Sequence, residues 1–119
     1  MPANVLVVDD DPGFRRLAVR LLERAGLRVA GEADTVKRAR EVVHAVKPAC
    51  VLLDVSLPDG DGLTLAGELT QLPWRPRVVL ISSDPDAASS DGLDRSGAAA
   101  FIPKDELTDV ALRSAFAVP

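Results

Sequence analysis

Carboxylates gather at two places in this chain. Asp9, Asp10 and Asp11 are consecutive, and Asp54 closes a separate apolar run. Two further apolar runs deliver a hydroxyl pair, Ser82-Ser83, and a lysine, Lys104. Two carboxylates about 4 Å apart repel by on the order of 4 kcal/mol at an effective dielectric near 20. If Asp9, Asp10 and Asp54 meet at one rim, the site calls for a cation, and oxygen-only ligands favour Mg²⁺ or a similar hard ion. Such an ion keeps several waters and leaves room for phosphate oxygens. The bland alternative is a solvated acidic rim with no function, which the company of Ser82 and Lys104 disfavours. Asp11 reads differently: it precedes Pro12 at a first helical position, so its side chain is expected to cap a helix.

These residues need a scaffold that ends its strands together. Short apolar runs at Asn4–Val8, Arg28–Ala33, Cys50–Asp54, Arg77–Ser82 and Ala99–Pro103 read as strands buried on both faces. Between them lie helix-period segments. The first carries Phe14, Leu17, Ala18, Leu21, Leu22 and Ala25 and stops at Gly26. The others are expected over about 35–46, 63–72, 86–96 and 105–117, with Asp105 as a candidate cap of the last. The fourth is weak, because Ser89, Ser90 and Gly92 each lower helix stability by about 0.5–1 kcal/mol relative to Ala. The alternation predicts an α/β fold, (βα)₅, with a doubly wound five-stranded parallel sheet. In such sheets functional groups gather at the carboxyl ends of the strands, where strand order reverses. Asp9, Asp54, Ser82 and Lys104 all fall there.

Composition narrows the class. The 119 residues are expected to form one domain, spanning 1–119, and 47% are hydrophobic while 27% are charged. The net charge of −4, without a basic cluster, argues against nucleic-acid binding by this segment. Cys50 is the sole cysteine, so an intrachain disulfide or a cysteine-based zinc site is excluded. It reads as a buried strand-entry residue. The opening Val/Leu run is soon interrupted by aspartates, unlike a signal peptide or a membrane span, and a cytoplasmic setting is the default expectation. His44 reads as a surface residue, and Trp74, between two prolines, as a packing residue. On the last helix Leu107, Val110, Ala111 and Ser114 form one face, expected toward the sheet. Leu112 and Phe116 lie opposite, either as an exposed contact for a dimer or output domain or beneath a C-terminal turn folded over the core.

Taken together, VLVVDDDP, VLLDVSLPDGDG, VVLISS and AAAFIPK make the chain resemble the response-regulator receiver family of two-component signalling. The resemblance covers essentially the whole chain. It implies a flavodoxin-like fold of strand order 2-1-3-4-5. It implies Asp54 as phosphoacceptor, taking the group from a sensor histidine kinase, a phosphotransfer protein or a small acyl phosphate. Asp9, Asp10, Asp54 and the backbone carbonyl of Ser56 would hold Mg²⁺ (or Mn²⁺). Ser82 would meet the phosphoryl oxygen, Lys104 would pair with the phosphoryl group, and Phe101 would be the aromatic switch. Such a chain is a signalling domain and not an enzyme, apart from its own phosphorylation and dephosphorylation. The surface of the fourth helix, fifth strand and fifth helix would then engage an output domain, a partner or a second copy. Membrane and nucleic acid have no part in this.

Three positions depart from the family pattern. Asp105 follows Lys104 where proline is usual, Ser83 replaces a small Ala, and Phe101 lacks a hydroxyl. A haloacid-dehalogenase-type phosphatase is a rival, because Asp9-Asp10-Asp11 contains a D-x-D; Gly13 stands where that family wants Thr or Val. A receiver-like interaction domain that is never phosphorylated is another, disfavoured because no core site residue is missing. A flavin-binding domain would need glycines and hydroxyls, not three acids, after the first strand. The end at Pro119 fits a stand-alone receiver or one cut from a longer regulator.

Overall fold

A computed structural model describes residues 3–119. Five strands, β1 (Asn4–Val8), β2 (Arg28–Ala33), β3 (Cys50–Asp54), β4 (Arg77–Ser82) and β5 (Ala100–Pro103), form one sheet. All its pairings are parallel and its order is β2-β1-β3-β4-β5, as expected of the doubly wound, flavodoxin-like arrangement. Strand order reverses at β1, so the gap between the carboxyl ends of β1 and β3 is the switch point.

Alternation along the strands assigns the two faces. Val5, Val7 and Leu52 pack on one side with Ala18, Leu22, Leu112 and Phe116; Leu6, Val8, Val51 and Leu53 pack on the other with Val43, Leu65 and Leu69. Helices α1 (Pro12–Arg24) and α5 (Asp109–Ala115) supply the first layer. Helices α2 (Val36–Val46), α3 (Gly62–Leu69) and α4 (Ser90–Ser96) supply the second. Val5, Leu6, Val7, Val8, Leu52 and Leu53 are fully buried. At about 1.5–3 kcal/mol for each such side chain, this two-sided burial fixes the register that aligns the strand ends.

Local chemistry sets the helix ends. Asp11 caps α1 as expected, its Oδ1 accepting the N–H groups of Gly13 at 2.9 Å and Phe14 at 3.3 Å. Gly26 ends the segment with φ +91°, a left-handed conformation that suits glycine. Helix α3 is shorter than its pattern suggests: Asp61 caps it, and Thr70 ends it before Leu72. Helix α4 begins at Ser90, four residues later than 86, because the Ser89 hydroxyl accepts the Gly92 N–H at 3.0 Å.

Asp105 does not cap the last helix. It lies in a 3₁₀ turn, Lys104–Glu106, and Thr108 caps α5 through the Ala111 N–H at 3.0 Å. Of the α5 face expected toward the sheet, only Leu107 and Ala111 pack against the core. Leu112 and Phe116 are buried against the sheet, whereas Val110 is 72% exposed. The physical reason is that Leu107 packs from the turn before α5, while the phase of the helix itself turns Leu112 inward and Val110 outward. Neither Leu112 nor Phe116 is an exposed contact.

His44 is exposed and Cys50 is buried, as expected. Trp74 packs, with its Nε1–H donating to the Pro48 carbonyl at 2.9 Å. No described helix is long and apolar enough to cross a membrane.

Candidate functional site at the strand ends

Asp9 follows β1 directly and Asp54 ends β3, on the neighbouring strand. Asp9 lies at an odd position of the β1 run, with Val5 and Val7, and Asp54 continues the phase of Leu52. Both thus lean toward the α1 and α5 face of the sheet. Asp9 is 0% exposed and Asp54 3% exposed, while Asp10 is open to solvent. One carboxylate oxygen from each of the three lies within 4.8 Å of the others.

Hydrogen bonds fix the two buried acids. Asp9 Oδ1 accepts the Asp11 N–H at 2.9 Å, and its carbonyl accepts Arg15 Nη1–H at 2.6 Å. Asp54 Oδ1 accepts the Ser56 N–H at 3.0 Å. Ser56 opens a short hairpin, Ser56–Leu57 against Gly60–Asp61, which turns the chain tightly back toward α3.

Lys104, in the 3₁₀ turn after β5, reaches between the acids. Its Nζ is 2.7 Å from Asp9 Oδ2 and donates to Asp54 Oδ2 at 3.1 Å. The approach to Asp9 is ionic and lacks hydrogen-bonding direction, so Asp9 Oδ2 is a buried oxygen without a hydrogen-bond partner among the described residues. The Lys104 ammonium also sits over the Phe14 ring, 4.4 Å from its centroid.

Burial pushes the Asp54 carboxyl above its ordinary pKa; the Ser56 N–H and Lys104 oppose this, and the neighbouring Asp9 adds to it. Burial also works against the charge of Lys104. Its contacts with Asp9 and Asp54 outweigh that, and its pKa is raised. Three carboxylates face the Lys104 ammonium, while the nearby Arg15 guanidinium is engaged by Glu32 and the Asp9 carbonyl. Asp9 Oδ2, which meets Lys104 but has no hydrogen bond among the described residues, and the all-oxygen donor set both fit a hard cation at Asp9, Asp10 and Asp54.

Ser82, the last residue of β4, is 2% exposed, and its Oγ accepts the Asp84 N–H at 3.0 Å. It adjoins Ile81, which pairs with Asp54 across the sheet. Phe101, on β5, is half-buried among the apolar side chains of the α3 and α4 layer, and Ser83 is exposed. The expected residues Asp9, Asp10, Asp54, Ser56, Ser82 and Lys104 therefore meet at one rim, with Phe101 set back from it. The Asp11 carboxylate caps α1 and is not among the three clustered acids, which removes the second acid of the D-x-D reading.

Two contributors escape the strand-end logic. Phe14 reads in the sequence only as part of an apolar helical face. Asp59 is hidden among turn residues, yet its carboxylate accepts the Val36 N–H at 2.7 Å and the Lys37 N–H at 3.1 Å, tying the hairpin to the start of α2.

A parallel sheet of order 2-1-3-4-5 with acids, a hydroxyl and a lysine on its carboxyl rim defines a receiver domain. The sequence profile of the response regulator receiver domain matches residues 5–116, and the chain belongs to that family. It is a signalling domain of two-component systems, a family whose members are phosphorylated by histidine kinases; the phosphatase reading is not favoured.

The chain is similar to the signal receiver domain of the response regulator NarL from Mycobacterium tuberculosis. The two are 34% identical with a TM-score of 0.82, over 96% of this chain and 92% of that one. It is likewise similar to the BeF3-activated N-terminal receiver domain of RstA from Klebsiella pneumoniae. There the identity is 34% and the TM-score 0.79, over 93% of each chain. A putative transcriptional regulator of Pseudomonas aeruginosa is 36% identical over 98% of this chain and 56% of its own length. The chain spans about half the length of such curated relatives.

Proposed function

We propose that Asp54 is the phosphoacceptor and that the chain, one receiver domain over 1–119, passes this signal to an output. A sensor histidine kinase or phosphotransfer protein presents a phosphohistidine. An Asp54 carboxylate oxygen forms the new bond to phosphorus as the P–N bond breaks, and the imidazole nitrogen keeps that electron pair. The product is an aspartyl phosphate. A carboxylate is an adequate nucleophile for this transfer, which demands positioning and charge neutralisation more than covalent assistance.

The observation that carries this reading is the contact of Lys104 with both Asp9 and Asp54, two buried carboxylates on neighbouring strand ends. Asp9, Asp10, Asp54 and the backbone carbonyl of Ser56 would hold Mg²⁺, or Mn²⁺, which would supply charge neutralisation for the incoming phosphoryl oxygens. Lys104 pairs with the transferred group. The Ser82 hydroxyl, whose acceptor capacity already serves Asp84, retains a proton to donate to a phosphoryl oxygen. Ser82 and Phe101 form the switch: as the hydroxyl moves in, the half-buried ring follows and the α4-β5-α5 surface changes. That surface addresses an output domain, a partner or a second copy, in a cytoplasmic setting. No turnover beyond the domain's own phosphorylation and dephosphorylation is assigned to it.

Intact-mass measurement after treatment with acetyl phosphate and Mg²⁺ tests the assignment. One phosphoryl adduct is expected on the wild-type chain and none on Asp54→Asn. An equal adduct on the variant, or none on the wild type, rules it out.

A further inference from the structure

Phe14 touches the site from α1. Its backbone N–H is held by the Asp11 cap, and its half-buried side chain packs against the core layer that contains Ala18, Leu22 and Leu112. The backbone that carries the ring is therefore held by the same aspartate run that supplies Asp9, and core packing holds the ring itself. Lys104, by contrast, is a four-carbon stem with large rotamer freedom, projecting from a turn near the edge strand β5. At 4.4 Å from the ring centroid, its ammonium is well inside the roughly 6 Å range of a cation–π contact.

We propose that Phe14 is a positioning residue for Lys104, its ring holding the ammonium between Asp9 and Asp54. The importance of this for phosphoryl transfer rests on the reading of Lys104 given above. The two carboxylates are variable partners: a cation at the acidic rim, or a phosphoryl group on Asp54, changes the charge that the ammonium meets. The ring changes neither its charge nor its place, and it occupies none of the three N–H donors of the ammonium. It therefore keeps Lys104 at the rim while those donors exchange a carboxylate for a phosphoryl oxygen. An aliphatic side chain of similar size would fill the same space without this attraction.

Replacing Phe14 by pentafluorophenylalanine preserves shape and packing while weakening the negative face of the ring. Phe14→Tyr keeps that face, and Phe14→Leu removes the ring. In the wild-type protein the Lys104 ε-protons are expected upfield, displaced by the ring current, and in Phe14→Tyr they should remain so. In the fluorinated protein they should relax toward the free-lysine position. The initial rate of phosphorylation by acetyl phosphate should fall about three- to tenfold in the fluorinated and Leu proteins, the range expected from a cation–π contact of this kind. It should be retained in Phe14→Tyr. An upfield shift that persists in the fluorinated protein overturns the proposal whatever the rates do. Should the wild-type chain take up no phosphoryl group, the phosphoacceptor reading fails, and the shifts still decide whether Phe14 positions Lys104.

Discussion

Gly62 lies directly against the backbone carbonyl of Asp54. A Cβ built on Gly62 would overlap the Asp54 carbonyl oxygen and would come within 2.7 Å of the Val55 Cα. The Gly62 N–H meanwhile donates to the Val55 carbonyl at 2.7 Å. All of these neighbours are backbone, so none can rotate away. Gly62→Ala is expected to cost about 1–3 kcal/mol, the usual range for overpacking, and to slow phosphorylation by displacing Asp54. Urea denaturation and the acetyl phosphate reaction measure the two effects. Unchanged stability would mean that the hairpin gives way more easily than this contact implies.

Metal binding should appear as stability. With Mg²⁺ at ten times its dissociation constant, a site present only in the folded state adds about 1.4 kcal/mol. Chelation should remove the gain. Asp9→Asn replaces the buried acid whose Oδ2 lacks a hydrogen-bond partner, and the Mg²⁺-dependent rise in melting temperature should largely vanish. A full rise in that variant would take Asp9 out of the ligand set.

Asp59 carries a pH signature. The N–H groups of Val36 and Lys37 lower its carboxyl pKa below the ordinary 3.8. A depressed carboxyl favours the folded state above its unfolded value, and that contribution is lost as pH falls through the folded value. The Val36 and Lys37 amide resonances should therefore titrate below pH 3.8 in the wild-type protein and should lose that inflection in Asp59→Ala. An inflection at or above 3.8 would show that the link between hairpin and helix does not form.

Switching should concentrate where the fold is least secured. The segment from 84 to 101 holds a seven-residue helix, α4; its first half is fastened by local turns at Ser82, Asp84 and Ser89, and bonds from Thr70 to Ser96 and from Ala99 to Val78 tie its second half to the rest of the fold. A beryllofluoride phosphate mimic is expected to change backbone hydrogen exchange there and leave β1 and β3 unaltered. Uniform exchange with and without the mimic would dissociate Ser82 and Phe101 from any switch.

The strand ends were legible because each polar residue of the site interrupts an apolar run. Asp9, Asp54, Ser82 and Lys104 stand where burial stops, and parallel pairing then brings those stops together. Helix phase was less legible. Leu107, Val110 and Ala111 make as good an apolar face on paper as Leu112 and Phe116, yet with α5 starting only at Asp109 Leu112 and Phe116 are buried, Leu107 and Ala111 pack beside them and Val110 turns outward. The start of α4 turned on a competition among Ser82, Asp84 and Ser89, each of whose side chains accepts a nearby backbone N–H. Asp59 and Phe14 act across the chain, on α2 and Lys104, and no periodicity records a partner 22 or 90 residues away.

Trp74, the sole tryptophan, is fastened to Pro48 and meets His44 edge-on at 6.4 Å between centroids. It therefore sits near the amino ends of β3 and β4, whereas the acids occupy the carboxyl ends, roughly 17 Å away for a five-residue strand. Its fluorescence should thus report the loss of the whole fold while being little quenched by Mn²⁺ bound among the aspartates. The chain carries a built-in spectroscopic control, blind to ligand and sensitive to unfolding.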